Sequence, residues 1–173
     1  MPKNRPAIER AAGRNSVFVD SSAWIALFSR RDQHHHQADH LFRMTVASKR
    51  PLITSNLVLA EIYRLLLYRA GSKAAITALE KIEASPLVTI EFADFKNHQS
   101  AKSRLKNLSQ YGISYTDAVS FSLMEATGCR EALTFDRHFQ LLSRPYGRIH
   151  SLPDLRTSKR FRFGPPRAKS MRH

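Results

Sequence analysis

Apolar residues in this chain fall into short runs separated by longer stretches of helical periodicity, with polar capping residues at the joins. Ser16-Val17-Phe18-Val19-Asp20 is a run closed by an acid. Ser21-Ser22 then mark the start of a helix carrying Ala23-Trp24-Ile25-Ala26-Leu27-Phe28. The pattern predicts a second helix over about 34–49, a buried strand at Pro51–Thr54, and a helix from Leu57 to Ala70 capped by Ser55 or Asn56. Gly71-Ser72 turns the chain into a helix from Lys73 to Ala84, which Ser85-Pro86 stops before a strand at Leu87–Ile90. A polar amphipathic helix over about 93–111 ends at Gly112, and Ser114-Tyr115-Thr116-Asp117 opens another that runs to Thr127 and stops at Gly128. A strand at Glu131–Phe135, a short helix at Arg137–Ser143 and a strand at Arg148-Ile149-His150 complete the pattern.

Short apolar strands alternating with helices predict an α/β fold: one central parallel sheet of about four or five strands, joined by right-handed crossovers and covered on both faces. In such sheets ligands gather outside the carboxyl ends of the strands. Two acids stand there, Asp20 after the first strand and Asp136 after the fourth, and Asp117 opens the helix beyond Gly112. Each has an ordinary alternative, since an Asp at a helix start caps free N–H groups and suits the positive end of the helix dipole. Glu61 lies on a helical face with Leu57, Val58, Leu65 and Tyr68, where an ionised carboxylate costs several kcal/mol unless it is paired or bound to a metal. Arg64 or Arg69 offers the pairing alternative.

Four carboxylates converging at about 5 Å repel by roughly 3 kcal/mol per pair at an effective dielectric of about 20, which in sum exceeds the net stability of a domain. Such a cluster holds protons or a divalent cation, and all-oxygen ligands select Mg²⁺ or Mn²⁺. Charge points to the substrate. The 173 residues include 28 Lys+Arg against 14 Asp+Glu, a net +14. Most of the excess lies at the ends: residues 1–14 carry +3, and residues 156–173 carry +7 with no acid. This divides the chain into a basic arm (1–15), a core domain (16–155) and a basic tail (156–173), with both ends expected to be flexible. Solubility alone is the bland reading of such tails; a polyanionic partner is the other. A hard-metal acidic pocket on a basic protein fits a phosphodiesterase acting on nucleic acid. One cysteine, Cys129, excludes an internal disulfide framework and any Cys-cluster metal site. The lack of a membrane-length apolar run or a secretory leader pattern points to a soluble, cytoplasmic protein.

Four segments, VFVDSSAW at 17–24, SNLVLAEIYRLL at 55–66, ISYTDAVSFSLM at 113–124 and ALTFDRHF at 132–139, resemble the PIN-domain ribonucleases, most closely the VapC toxins of toxin–antitoxin pairs. The resemblance spans about residues 16–152. It implies a metal-dependent endoribonuclease cutting single-stranded or structured RNA, with Asp20, Glu61, Asp117 and Asp136 as the catalytic, metal-holding quartet. Hydroxyls at Ser21, Thr116 and Thr134 match positions expected to orient those carboxylates. It also implies a homodimer, for which the Trp24–Phe28 helix and the Leu65–Tyr68 helix end are candidate surfaces, and an antitoxin that places an Arg or Lys among the acids. The basic ends depart from a minimal toxin and leave room for an RNA-processing nuclease outside any toxin pair.

Further contacts to RNA are expected from Arg137, His138, Arg160 and Arg162, with Tyr111 and Tyr115 as possible stacking residues. His36 and His40 have the i, i+4 spacing of a zinc pair, but a polar helix start near the mouth of the site explains the His34–His36 run as well. Two readings compete with a nuclease. A catalytically silent RNA-binding protein has no use for four mutually repelling acids. A receiver-type phosphoryl-transfer domain wants an Asp-x-Asp after the first strand, where Asp20 is followed by Ser21-Ser22.

Overall fold

The structure, a computed structural model, describes residues 15–141 and 150–152. The basic ends, with Arg160 and Arg162, lie outside the described residues, as does the 142–149 segment. The elements run β1 (Val17–Val19), α1 (Ser21–Phe28), α2 (His35–Ala47), β2 (Leu52–Ser55), α3 (Asn56–Ala70), α4 (Ser72–Ala84), β3 (Val88–Glu91), α5 (Phe95–Asn107), α6 (Tyr115–Thr127), β4 (Glu131–Leu133), α7 (His138–Leu141) and β5 (His150–Leu152). A 3₁₀ turn at Ser109–Tyr111 joins α5 to α6.

All four pairings in the sheet are parallel, in the order β3-β2-β1-β4-β5. Winding proceeds one way from β1 through β2 to β3 and the other way from β4 to β5, so right-handed crossovers cover both faces. The reversal puts the topological switch point between β1 and β4. Val19 is in register with Leu133, so the chain leaves these two central strands side by side, at Asp20 and Thr134.

β1 is buried at every position, as the middle strand of a sheet covered on both faces must be. Phe18, Phe121 and Phe139 join sheet to helices: Phe139 lies 6.4 Å from Phe18 and meets Phe121 edge-on at 4.9 Å between ring centroids. Trp24 stacks over Phe28 at 6.0 Å and Phe42 at 4.8 Å and is buried, so this ring is core and the proposed dimer surface on α1 loses its largest residue. Arg104, buried on α5, pairs with Glu125 and lies within reach of the Ser122 hydroxyl, fastening α5 to α6. Gly71, at φ 86° and ψ 169°, ends α3 and begins α4 in a conformation that side chains strongly disfavour. None of the described helices is long and apolar enough to cross a membrane.

Three expectations need correction. α5 begins only at Phe95, because the Asp94 carboxylate accepts from Asn97 N while the Asn97 side chain accepts from Asp94 N, a reciprocal cap; its last stretch tightens into the 3₁₀ turn. β4 ends at Leu133 instead of Phe135, because Phe135 N donates to the Ser22 hydroxyl. The buried stripe of α3 is Val58, Ile62 and Leu66; Tyr68 is 81% exposed, so Glu61 lies beside the stripe and does not share a face with a buried Tyr68.

Phe139 is fully buried one residue beyond His138, so it anchors the loop that follows β4. Phe139→Ala should cost about 3–5 kcal/mol, read as a lower unfolding midpoint in denaturant. A cost under about 1 kcal/mol would show that the anchor is not needed.

Candidate active site

Asp20 sits one residue beyond β1 and caps α1, with its Oδ2 accepting from Ser22 N at 3.3 Å, from Ser22 Oγ at 2.7 Å and from Thr134 Oγ1 at 3.1 Å. The same two hydroxyls accept in turn from the loop after β4: Ser22 Oγ from Phe135 N at 2.9 Å and Thr134 Oγ1 from Asp136 N at 3.0 Å. A closed set of hydrogen bonds therefore fixes Asp20 against the backbone that presents Asp136. Asp117 is the third residue of α6, where its Oδ2 accepts from Ser114 N at 2.9 Å and its own N–H donates to Ser114 Oγ at 3.0 Å. Capping and site placement are here one and the same, because the reciprocal cap holds the carboxylate at the sheet edge.

Asp136 accepts from His138 N at 2.9 Å, and His138 Nδ1 lies 3.0 Å from Asp136 Oδ1 and 3.9 Å from Asp117 Oδ2. Asp117, Asp136 and His138 each offer one ligand atom, all within 4.8 Å of one another. Glu61 comes in from α3, half-buried, beside the Ser21 hydroxyl, which favours its charged form.

The electrostatics agree with this convergence. Burial pushes the Asp20 carboxyl up to about 6, the Ser22 hydroxyl opposes the rise, and the charges of Asp117 and Asp136 add to it. Burial also raises Asp117, against the Ser114 N–H and with Asp136 adding to the rise. Glu61 is raised by burial, lowered by Ser21 and by the nearby Arg64, and raised again by Asp20 and Asp136. Asp20, Glu61 and Asp117 each feel the charge of Asp136, and Asp20 also feels Asp117. The donor set is mostly carboxylate oxygen with one imidazole at its edge, and its excess negative charge fits a hard divalent cation.

The structure places Asp117 and Asp136 within ligand distance of each other and of His138, leaves Asp20 and Glu61 outside that three-ligand group though close enough to feel its charge, and assigns the supporting hydroxyls differently from the sequence. Thr134 does bond Asp20. Ser21 serves Glu61, while Ser22 serves Asp20, and Ser114 rather than Thr116 holds Asp117. Thr116 makes no hydrogen bond to the acids among the described contacts. Ser114 was legible as the start of a capping box with Asp117 three residues on. Arg137 is exposed, whereas His138 points at the carboxylates. His36 and His40 join no three-ligand group among the described residues. His34 stacks on Phe135 at 4.4 Å with the rings 7° from parallel, and His35 Nδ1 bonds the Ala26 carbonyl oxygen at 2.8 Å. Cys129 is buried, its thiol bonded to the Ser16 carbonyl oxygen and pushed up by burial, so it is structural.

A parallel sheet whose switch point gathers buried acids defines a class of protein, and comparison with known proteins agrees: the PIN domain matches residues 17–145, and the chain belongs to the PIN-domain family. Among curated proteins it is 36% identical over 124 residues to the 23S rRNA-specific endonuclease VapC20 of Mycobacterium tuberculosis, in strains CDC 1551 / Oshkosh and ATCC 25618 / H37Rv, covering 71% of this chain and 91% of the relative. The crystal structure of Mycobacterium tuberculosis VapC20, described as a Sarcin-Ricin loop cleaving toxin, superposes with a TM-score of 0.66 at 35% identity, covering 73% of this chain and 94% of that one.

Asp20 binds its proton more tightly folded (about 6) than unfolded (near 3.8), so protonation favours the folded, metal-free protein. That contribution is whole below about pH 4 and is lost as pH rises through 6. Asp20→Asn should therefore stabilise the metal-free protein at pH 8 by on the order of 1–3 kcal/mol, read as a higher melting temperature, and flatten the decline between pH 4 and 7. Scanning calorimetry with chelator checks this. A lower melting temperature for the variant at pH 8 would contradict it.

Proposed function

We propose that this protein is a metal-dependent endoribonuclease of the VapC toxin type, cytoplasmic, using Asp20, Glu61, Asp117 and Asp136 on ribosomal RNA. The observation that carries the reading is the hydrogen-bonded ring through Ser22 and Thr134, which binds Asp20 to the Asp136 loop and keeps repelling carboxylates at one spot. Its substrate class is extended from the 36% identical relative.

Asp117 and Asp136, which lie within ligand distance of each other and of His138, would hold Mg²⁺ or Mn²⁺, with Asp20 and Glu61 completing the acidic surroundings. When bound, such a cation supplies Lewis acidity toward the scissile phosphate and an activated water. The chain's own groups supply position. Ser22 and Thr134 turn Asp20 inward, Ser114 fixes Asp117 at the start of α6, and Ser21 steadies Glu61. His138, bonded through its own backbone N–H to Asp136, fixes that carboxylate's orientation.

The same excess of negative charge suits an antitoxin that presents an Arg or Lys to the pocket, and such a partner belongs to this reading. So does a homodimer, for which exposed Tyr68 at the end of α3 is the remaining sequence-derived candidate. The basic ends, Arg160 and Arg162 included, are proposed to add sequence-independent affinity for RNA phosphates.

Removing groups that orient metal ligands typically costs about 10- to 100-fold, and removing a ligand costs more. Asp117→Asn should lower single-turnover cleavage of 23S rRNA in Mg²⁺ by more than about 100-fold while the far-ultraviolet spectrum is unchanged, and Ser22→Ala should fall between it and the unaltered chain. EDTA should abolish cleavage. Activity that survives EDTA, or Asp117→Asn cutting near the unaltered rate, would remove the proposal.

A further inference from the structure

The exposed large apolar residues are unevenly spread. The aliphatic ones, Met44, Val46 and Ile76, lie on α2 and α4, and of the aromatic ones Tyr68 lies on α3 while Phe92, Phe95, Tyr111 and Tyr115 lie on α5, α6 and their flanks. Phe95 is 73% exposed at the start of α5, and Tyr115 is 42% exposed as the first residue of α6, two residues before Asp117. His98 stands between them, its ring centroid 6.0 Å from each, and its Nδ1 is 3.0 Å from the Tyr115 hydroxyl. The three rings form a continuous row from the start of α5 to the start of α6, the helix that also carries Asp117. The hydrogen bond between His98 and Tyr115 restricts both rings before anything binds.

The exposed charge along α5 is mainly positive: Lys96, Lys102 and Lys106 are exposed, Arg104 is buried against Glu125, and the one neighbouring acid is Asp94 at the helix cap. Exposed Lys102 and Lys106 follow Phe95 at seven and eleven residues, on the same helical face. Exposed aromatic rings flanked by lysines, on helices of which one also carries Asp117, match unpaired nucleotides: bases stack on the rings and phosphates meet the lysines. A protein-binding face built on aliphatic burial would lack this charge bias.

We propose that Phe95, His98 and Tyr115 form a stacking platform for unpaired bases of the RNA strand that enters the acidic site. The proposal deepens the nuclease reading and rests on RNA being the substrate. It makes these residues determinants of which loop is seated, with the carboxylates left to the chemistry.

The test uses the full chain in EDTA, which prevents metal-dependent cleavage, with oligoadenylate RNA and an abasic oligonucleotide of the same length and charge as probes. The unaltered chain should bind oligoadenylate more tightly than its abasic counterpart. Phe95→Ala and His98→Ala should each weaken oligoadenylate binding by about 5- to 100-fold and abasic binding by less than about twofold, and Phe95→Trp should restore the preference for bases. Equal losses on both probes, or no loss on either, would overturn the platform. Weaker self-association in sedimentation with unchanged RNA affinity would overturn it in favour of a protein-binding face. A chain that prefers bases yet never cleaves RNA in Mg²⁺ would keep the platform and lose the nuclease reading, so the two failures are distinguishable.

Discussion

Carboxylates withdrawn from water at one end of a sheet repel each other, and the arrangement of this protein follows from how that repulsion is contained. The containment is local and covalently economical. Ser22 and Thr134 each donate to Asp20 and each accept from the backbone of the Asp136 loop, so the two central strands are tied together by the groups that make the acids tolerable. What remains uncompensated is visible in Asp20, held near 6 by burial and by its acidic neighbours. A site in that condition is prepared for a cation, because binding one relieves both the desolvation and the like-charge repulsion.

The fold supplies the scaffold by stacking unlike tasks within a few residues. After β4, Thr134 bonds Asp20, Asp136 joins the acids, His138 approaches them, and Phe139 fills the core against Phe18 and Phe121. One turn of chain thus carries a carboxylate of the candidate site, its support and its anchor. α6 does the same at its start, where the cap between Ser114 and Asp117 fixes the carboxylate while the following turns of the helix are buried. The geometry comes from helices and strand ends rather than long loops, as precise placement of charged groups requires.

The strand and helix order, the parallel sheet and the approach of Asp117 and Asp136 to one spot were legible in the sequence, because burial on both faces gives short apolar runs and acids at strand ends stand out against them. The supporting residues were less legible. Ser21 and Ser22 are adjacent and chemically alike, and only the direction of the first turn of α1 sends Ser22 to Asp20 and Ser21 to Glu61. Thr116 and Ser114 pose the same ambiguity, settled by the cap. Tyr68 follows the apolar spacing of α3 yet stays exposed, since periodicity marks a face and not where the neighbouring helix ends. The row from Phe95 to Tyr115 joins residues twenty apart, and no local pattern announces it.

The central claim, that these acids form one centre prepared for a divalent cation, is tested most directly by counting the protons displaced when the cation binds. Titration calorimetry with Mn²⁺ at pH 6, in buffers of different ionisation enthalpy, should show saturable binding with release of roughly half a proton or more per chain, because Asp20 is then about half protonated. The release should fall toward zero at pH 8. Saturable binding without proton release at pH 6, or no binding at either pH, would contradict the account.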